Sequence, residues 1–302
     1  MIRFGFVILH YCAIDMTKQC IEAIREKMVN YDYLIVIVDN ASGNGTGREL
    51  ESFYKGQSDV VVILSKENLG FAKGNNLGYR YAKEILKCDF ICIQNNDVML
   101  LQADFGQIIE QIYREDPFAV LGPHIILPGG KENAMYYKLS TIEQLYKERN
   151  GYIKRLKRIN SSLYPMWNVW ETMKLKFRIF LGNIHVMPKM NLHEECIEGA
   201  HEKHTEVILH GCCLIFSHIY MDRFEDAFDP ATFMFREEEL LYLRCKNAKL
   251  PMHYDPNLQV LHMEDVATNL VYKTEKKKEI FNLENQIDSL GILIHKLEKE
   301  EG

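Results

Sequence analysis

Within the first hundred residues, β-forming runs alternate with stretches of helical period. They read FGFVILHY (4–11), a helical pattern over Met16–Val29, LIVIVD (34–39), a Gly-rich turn, VVVILS (60–65), a second helical pattern over Gly74–Leu86, and DFICIQ (89–94). Short strands joined through single helices pair side by side by crossover connections, so the alternation specifies an α/β unit with a largely parallel sheet. Such sheets place their binding loops at the carboxyl ends of the strands. Four loops qualify: His10–Asp15, Asp39–Gly47, Asn68–Gly78 and Gln94–Val98, each polar or Gly-rich.

With 302 residues, 47% hydrophobic and 26% charged, the chain can bury a sizeable core, which excludes disorder as its main state. It contains no run of about 18 apolar residues, and its first sixteen residues, MIRFGFVILHYCAIDM, lack the small-residue cleavage site of a secretion leader. The eight cysteines (12, 20, 88, 92, 196, 212, 213 and 245) form no CxxC pair and read as reduced, packed thiols, so a cytoplasmic location is expected. A net charge of -6 argues against nucleic acid as partner. The charge is uneven, however: between Lys138 and Arg178 ten Lys/Arg stand against three Glu, a basic segment inside an acidic chain.

The loop chemistry narrows the function. A dinucleotide fold would carry G-x-G-x-x-G directly after the first strand, where this chain has YCAIDM, and no G-x-x-x-x-G-K-[ST] occurs. NAD, FAD and P-loop chemistry are therefore discounted. A nucleotidyltransferase would want a Gly/Arg/Lys phosphate loop after the first strand, which HYCAIDM does not supply. After the second strand comes VDNASGNGTG, whose Asp39 either accepts a ring N–H from a pyrimidine base or, with Asn40, simply starts a turn. Asn68–Gly78 spaces three glycines four apart at a helix entrance, where free backbone N–H groups can meet phosphate or ribose oxygens. CIQNNDV (92–98) ends a strand in amides and one carboxylate, hard oxygen donors suited to Mg²⁺ or Mn²⁺ on a diphosphate.

VDNAS, NLGFAKGNN and QNNDV, in this order and spacing, resemble the nucleotide-binding half of glycosyltransferase family 2, whose members have the GT-A fold. HGCCLIFS (210–217), FMFREEELLYLR (233–244) and LHMEDVAT (261–268) are similar to its acceptor-side elements, so the resemblance covers roughly residues 1–130 and 206–268. It implies an α/β GT-A fold, a Rossmann-like and mainly parallel sheet flanked by helices, with a helical insert and a C-terminal helix. It also implies transfer of a sugar from a UDP- or dTDP-linked donor to a hydroxyl of a glycan or lipid-linked glycan in cell-surface polysaccharide synthesis, as in capsule or O-antigen assembly. By the same resemblance Asp39 contacts the nucleobase, while Tyr11, Asn68, Gly70, Lys73, Asn75 and Asn96 belong to the nucleotide-binding set. Asp97 and His262 hold Mg²⁺ or Mn²⁺, and His210 and Gly211 lie on the acceptor side. The general base is Glu238, with Glu237 and Glu239 as neighbours that could take its place.

Two departures stand out. Asn95-Asn96-Asp97 keeps one carboxylate of the family's DxD-like element, which allows weak metal dependence or a catalytically silent scaffold subunit of an assembly complex. A Glu stands where the family has the Asp of its ED motif. One base and no second nucleophile motif predict inversion at the anomeric carbon. His193, His201 and His204, lying among glutamates, read as surface residues.

The partition expected is a nucleotide-sugar half (1–130), a basic, aromatic helical insert (131–205), an acceptor half (206–268) and a helical tail (269–302). In the insert, Ile142, Leu145, Tyr146, Tyr152, Ile153, Leu156 and Ile159 recur at helical spacing among basic residues, followed by Trp167, Trp170, Phe177 and Phe180. The stripe either lies on an anionic membrane surface or packs on the catalytic domain. In the tail, Ile280, Leu283, Ile287, Leu290, Ile294 and Leu297 form a short heptad seam that either pairs with a second copy as a homodimer or docks on the chain itself.

Overall fold

The computed structural model describes residues 2–132, 136–162, 173, 200–263 and 274–301. Trp167, Trp170, Phe177, Phe180 and His193 lie outside the described residues, as do most of LHMEDVAT beyond Met263. The alternation in the first third becomes β1 (Arg3–His10), α1 (Ile14–Lys27), β2 (Asp32–Asp39), α2 (Thr46–Tyr54), β3 (Val60–Leu64), α3 (Gly70–Arg80) and β4 (Phe90–Asn95). β5 (Val98–Leu100), α4 (Phe105–Glu115), β6 (Val120–Leu127), β7 (Lys131–Glu132), β8 (Tyr136–Tyr137) and α5 (Ile142–Ile159) follow. After the insert come β9 (His204–Thr205), β10 (Ile208–Leu209), β11 (Cys213–Ser217), the single turn α6 (His218–Met221), α7 (Glu237–Ala248), β12 (Met252–His262) and α8 (Glu275–Glu301).

Among the described residues the main sheet runs β3-β2-β1-β4-β11-β6-β12-β5, with β7 on β6 and β9 on β12. The first four strands are parallel, as their crossover helices require. Beyond β4 the sheet is mixed: β11 is antiparallel to both β4 and β6, β12 is parallel to β6, and β5 is antiparallel to β12. The parallel pairing expected from the sequence is thus continuous in the amino-terminal half and recurs between β6 and β12 among antiparallel neighbours.

Strands buried on both faces need two cores. Phe4, Phe6, Ile8, Ile35 and Ile37 point to one side with Cys20, Ile21 and Ile24 of α1. Val7, Val36, Val38 and Ile91 point to the other, with Tyr79 of α3 and Leu241 and Cys245 of α7. A third cluster joins Leu145 of α5, Leu240 and Leu243 of α7, and Leu290, Leu293, Ile294 and Leu297 of α8. The α5 stripe and the tail seam are therefore used against each other and the body of the chain. Each of these side chains contributes roughly 1.5–3 kcal/mol on burial. The seven cysteines among the described residues are free thiols. No helix among the described residues is long and apolar enough to cross a membrane.

Candidate active site

The carboxyl ends of β1, β2 and β4 open on a cleft of ≈ 580 Å³ lined by Tyr11, Asn40, Asn68, Gly70, Asn96, Asp97, His210 and His262, among others. A second depression of ≈ 530 Å³, which shares Phe71, Asn95, His210, Met234 and Phe235 with the first, is walled by Gly211 and Glu237–Glu239. Tyr11, Asn68, Gly70, Asn96, Asp97 and His262 in the first and Gly211 and Glu238 in the second therefore border adjoining depressions.

A buried His10 laces the loops of the donor side together. Its Nδ1 lies 2.7 Å from Thr17 Oγ1 and its Nε2 2.9 Å from Thr46 Oγ1. Burial lowers its pKa to about 4 despite the nearby Asp39, so the ring is neutral. Asn96 donates from Nδ2 to the same Thr17 hydroxyl at 3.0 Å, which fixes the residue beside Asp97.

Asp39 ends β2 and is 5% exposed. Its two oxygens stand 3.3 and 3.4 Å from the Ser42 amide nitrogen, and it does not line the larger cleft. The neighbouring Asn40, read from the sequence only as part of a turn, is the organiser there. It donates from Nδ2 to Asn68 Oδ1 at 3.0 Å and to the Gly70 carbonyl at 3.1 Å, and accepts the Leu69 N–H at 2.8 Å.

The glycine-rich segment behaves differently from the expectation. Its first backbone donors are not free for phosphate: Leu69 N–H goes to Asn40, Gly70 N–H to Asn68 Oδ1 at 3.0 Å, and Phe71 N–H to the Phe233 carbonyl at 2.7 Å. Glycines four apart share one helix face, and that face is pressed on the sheet. A Cβ at Gly74 would come within 2.6 Å of Leu9, and one at Gly78 within 2.4 Å of Val7. Gly70, at φ +75°, lies so close to the Phe233 carbonyl that a Cβ would sit 2.1 Å from it. Lys73 is exposed on α3 and Asn75 donates back to the Phe71 carbonyl at 3.0 Å, so neither reaches the cleft wall. The spacing is a packing signature.

Asp97 follows β4 directly, and His262 ends β12. Asp97 Oδ1 lies 3.3 Å from His262 Nε2 without hydrogen-bond geometry, and both that oxygen and His262 Nδ1 are buried without a hydrogen-bond partner. A buried carboxylate oxygen facing an imidazole nitrogen needs a shared proton or a cation. With one carboxylate, one imidazole and room for phosphate oxygens and water, the pair fits an Mg²⁺- or Mn²⁺-type ion that takes most of its ligands from substrate and solvent. The His210 ring lies 5.8 Å from that of His262, and its Nδ1 accepts the Cys212 N–H at 3.0 Å.

Three consecutive glutamates open α7, and each is used differently. Glu237 is 3% exposed and accepts the Thr232 hydroxyl at 2.9 Å; burial, then the Glu238 charge, raises its pKa to about 8. Glu239 accepts from Arg236 Nη1 at 2.8 Å. Glu238 Oε1 accepts the Gly211 N–H at 3.1 Å, and the residue forms part of the wall of the depression. Burial raises the pKa of Glu238, opposed by the backbone N–H groups of its own turn and of Gly211.

The approach to this turn is strained. Phe235 and Arg236 both have left-handed backbones, φ 72° and 68°, at a cost of about 1–2 kcal/mol each for non-glycine residues. The strain is held from α5 and α8. Arg236 donates to Glu148 Oε1 at 2.5 Å and to Gln286 Oε1 at 3.2 Å, and Ser289 Oγ donates to the Met234 carbonyl at 2.8 Å. α8 also contributes Phe281 and Asn282 to the cleft wall. These tail residues escape sequence reasoning because they flank the heptad seam instead of forming it.

A family model described as glycosyl transferase family 2 matches residues 6–180. No curated protein sequence matches the chain significantly. Among solved structures, S. aureus TarS 1-349 is similar at 10% identity with a TM-score of 0.51, covering 93% of this chain and 71% of that one. The same protein in complex with UDP-GlcNAc matches at 15% identity with a TM-score of 0.37, over 48% of this chain and only 43% of that one. At such identities the likeness concerns the fold alone, a curled mixed sheet flanked by helices.

Proposed function

The chain belongs to glycosyl transferase family 2, and from that premise we propose that it is an inverting glycosyltransferase. It moves a sugar from a UDP- or dTDP-linked donor to a hydroxyl of a glycan or lipid-linked glycan. The observation that carries the reading is that Asp97 with His262, and Glu238 with Gly211, border adjoining depressions that share His210.

In this reading the diphosphate lies beside Asp97 and His262, the ribose and base extend past Asn68 and Tyr11 toward Asp39, and the acceptor enters by Gly211 and Met234. Glu238 Oε2 takes the proton of the acceptor hydroxyl as its oxygen bonds to the anomeric carbon. The bond from that carbon to the diphosphate oxygen breaks, and the nucleoside diphosphate leaves with the electron pair. Attack opposite the leaving group inverts the centre. A divalent ion held by Asp97 and His262 would neutralise charge on the leaving diphosphate. The Gly211 N–H steadies the base, and the raised pKa of Glu238 brings it toward the range where it accepts a proton productively.

Thermal-shift measurements against UDP-, dTDP- and GDP-sugars, with and without Mn²⁺, followed by determination of the product's anomeric configuration, test the proposal. Stabilisation by one nucleotide class and an inverted product are expected; a retained configuration would overturn the role of Glu238. The single carboxylate of Asn95-Asn96-Asp97 favours a second reading, a silent nucleotide-sugar-binding scaffold. Donor binding without release of nucleoside diphosphate in the presence of acceptor extracts would select it. Attachment to an anionic membrane surface, as for enzymes with lipid-linked acceptors, would rest on the basic segment 138–178, and flotation with anionic vesicles at low salt tests it.

A further inference from the structure

Outside the cleft, His124 of β6, Glu132 of β7 and His201 converge from three separate segments. One ligand atom from each, all within 4.8 Å of one another, makes a compact donor set. Glu132 bridges the two rings: Oε2 lies 3.1 Å from His201 Nε2 and Oε1 lies 3.8 Å from His124 Nε2. None of the three lines the cleft, and His124 stands in register with Gln259, upstream of His262 on the neighbouring strand.

The tautomer of His124 follows from its partner. Tyr254 Oη donates its one proton to the Ala200 carbonyl at 2.6 Å, so at 2.7 Å from His124 Nδ1 it can only accept. Nδ1 therefore carries the hydrogen, and Nε2 of the neutral ring presents a lone pair. That nitrogen is buried in a residue 2% exposed and has no hydrogen-bond partner. What it faces is the Glu132 carboxylate, another lone-pair donor. Glu132 is more than a third exposed and presents its lone pairs 3.8 Å from that buried nitrogen, so a cation between them would satisfy both.

We propose that His124, Glu132 and His201 form a Zn²⁺ site, distinct from the catalytic cleft, with Tyr254 as the outer residue that orients His124. Two imidazoles and a carboxylate are a zinc donor set, with a fourth position left for water. Tetrahedral bonds of 2.0–2.1 Å put neighbouring ligand atoms about 3.3 Å apart; His201 Nε2 stands 3.1 Å from Glu132 Oε2, and the set would close on the ion from within its 4.8 Å span. A ligating histidine ordinarily donates its far N–H to an acceptor that fixes the ring, the place that Tyr254 Oη takes here. The ion would tie β6 and the β7 hairpin to the chain where it returns at Ala200–His201, next to the Tyr254 bond that already holds Ala200.

The test uses the untagged full-length chain in a His262→Ala background, which removes the imidazole from the cleft pair. Zn²⁺ binding is measured by competition with a chromogenic chelator and by metal analysis after dialysis. One equivalent is expected, weakened at least ~10-fold by His201→Ala and by Glu132→Gln, both partly exposed changes that leave the core intact, and by ~10–100-fold in Tyr254→Phe. Far-ultraviolet circular dichroism verifies that each variant is folded. Absence of binding at micromolar Zn²⁺, or affinity unchanged in both His201→Ala and Glu132→Gln, overturns the proposal.

Discussion

Glu238 and Gly211 are fitted to each other: the carboxylate accepts the glycine N–H at 3.1 Å, and a Cβ at position 211 would lie 2.5 Å from the same oxygen. The Glu238 carboxylate can be held there only if residue 211 has no side chain. Gly211→Ala is expected to push the carboxylate off its donor and lower kcat on the order of 10²-fold while nucleotide affinity is retained. Steady-state kinetics beside nucleotide titration checks this.

Glu238→Gln keeps the size and the Gly211 contact but cannot accept a proton. Loss of roughly 10²–10⁴-fold in kcat is expected, with donor binding intact. Glu239→Gln disturbs the Arg236 pair and is expected to lower stability more than chemistry. If Glu237→Gln or Glu239→Gln were the more damaging change in kcat, the base would be reassigned within the turn.

The pH dependence has two signs. With Glu238 as the proposed base, kcat is expected to rise with pH through a value above the usual carboxylate range. Stability runs the other way for Glu237, whose pKa is about 8 in the folded chain against 4.5 when unfolded. Below pH 4.5 both states hold the proton. Between 4.5 and about 8 the unfolded state releases it while the folded state keeps it, so stability falls as pH rises across that window. Glu237→Gln is expected to flatten the fall in urea melts between pH 5 and 8.

Gly78→Ala separates packing from ligand binding. A methyl aimed at Val7 overfills the contact between α3 and β1, and a loss of about 1–3 kcal/mol is expected, with nucleotide affinity unchanged in the fraction that remains folded. Weaker nucleotide binding with unaltered stability would return that glycine to the phosphate-contacting role.

Ser289→Ala removes the hydroxyl that holds the Met234 carbonyl from α8. A cost of about 1 kcal/mol in stability is expected. A larger effect on acceptor KM than on donor KM should accompany it, because Met234 stands where the two depressions meet.

The sequence disclosed the elements that obey strict periodicities. Strand alternation gave the parallel half, and the carboxyl-end rule led to Asn68, Asn96, Asp97 and His10's loop. The resemblance singles out Glu238 and His262, which line two adjoining depressions. Less legible was whatever depends on distant segments meeting. Asn40 looks like any turn residue until Asn68 and Leu69 are folded onto it. The glycines of α3 carry the same spacing whether they face phosphate or valine, and only the sheet beneath decides. The heptad of α8 signals an apolar face without saying whose surface it covers, and Phe281, Gln286 and Ser289 lie beside it with no periodic mark. His201 was read as surface and is exposed, yet its ring meets Glu132 from a part of the chain 69 positions away.

Because α8 adds Phe281 and Asn282 to the cleft wall without joining the sheet, a chain cut short before it would keep every described strand and lose part of that wall. Met234–Arg236 would then keep its tie to Glu148 of α5 but lose those to Gln286 and Ser289 of α8, one of the two helices that hold its left-handed turn. α8 thus serves the body of the chain as packing and the glutamate turn as a clamp, and one substitution on its inner face could loosen both.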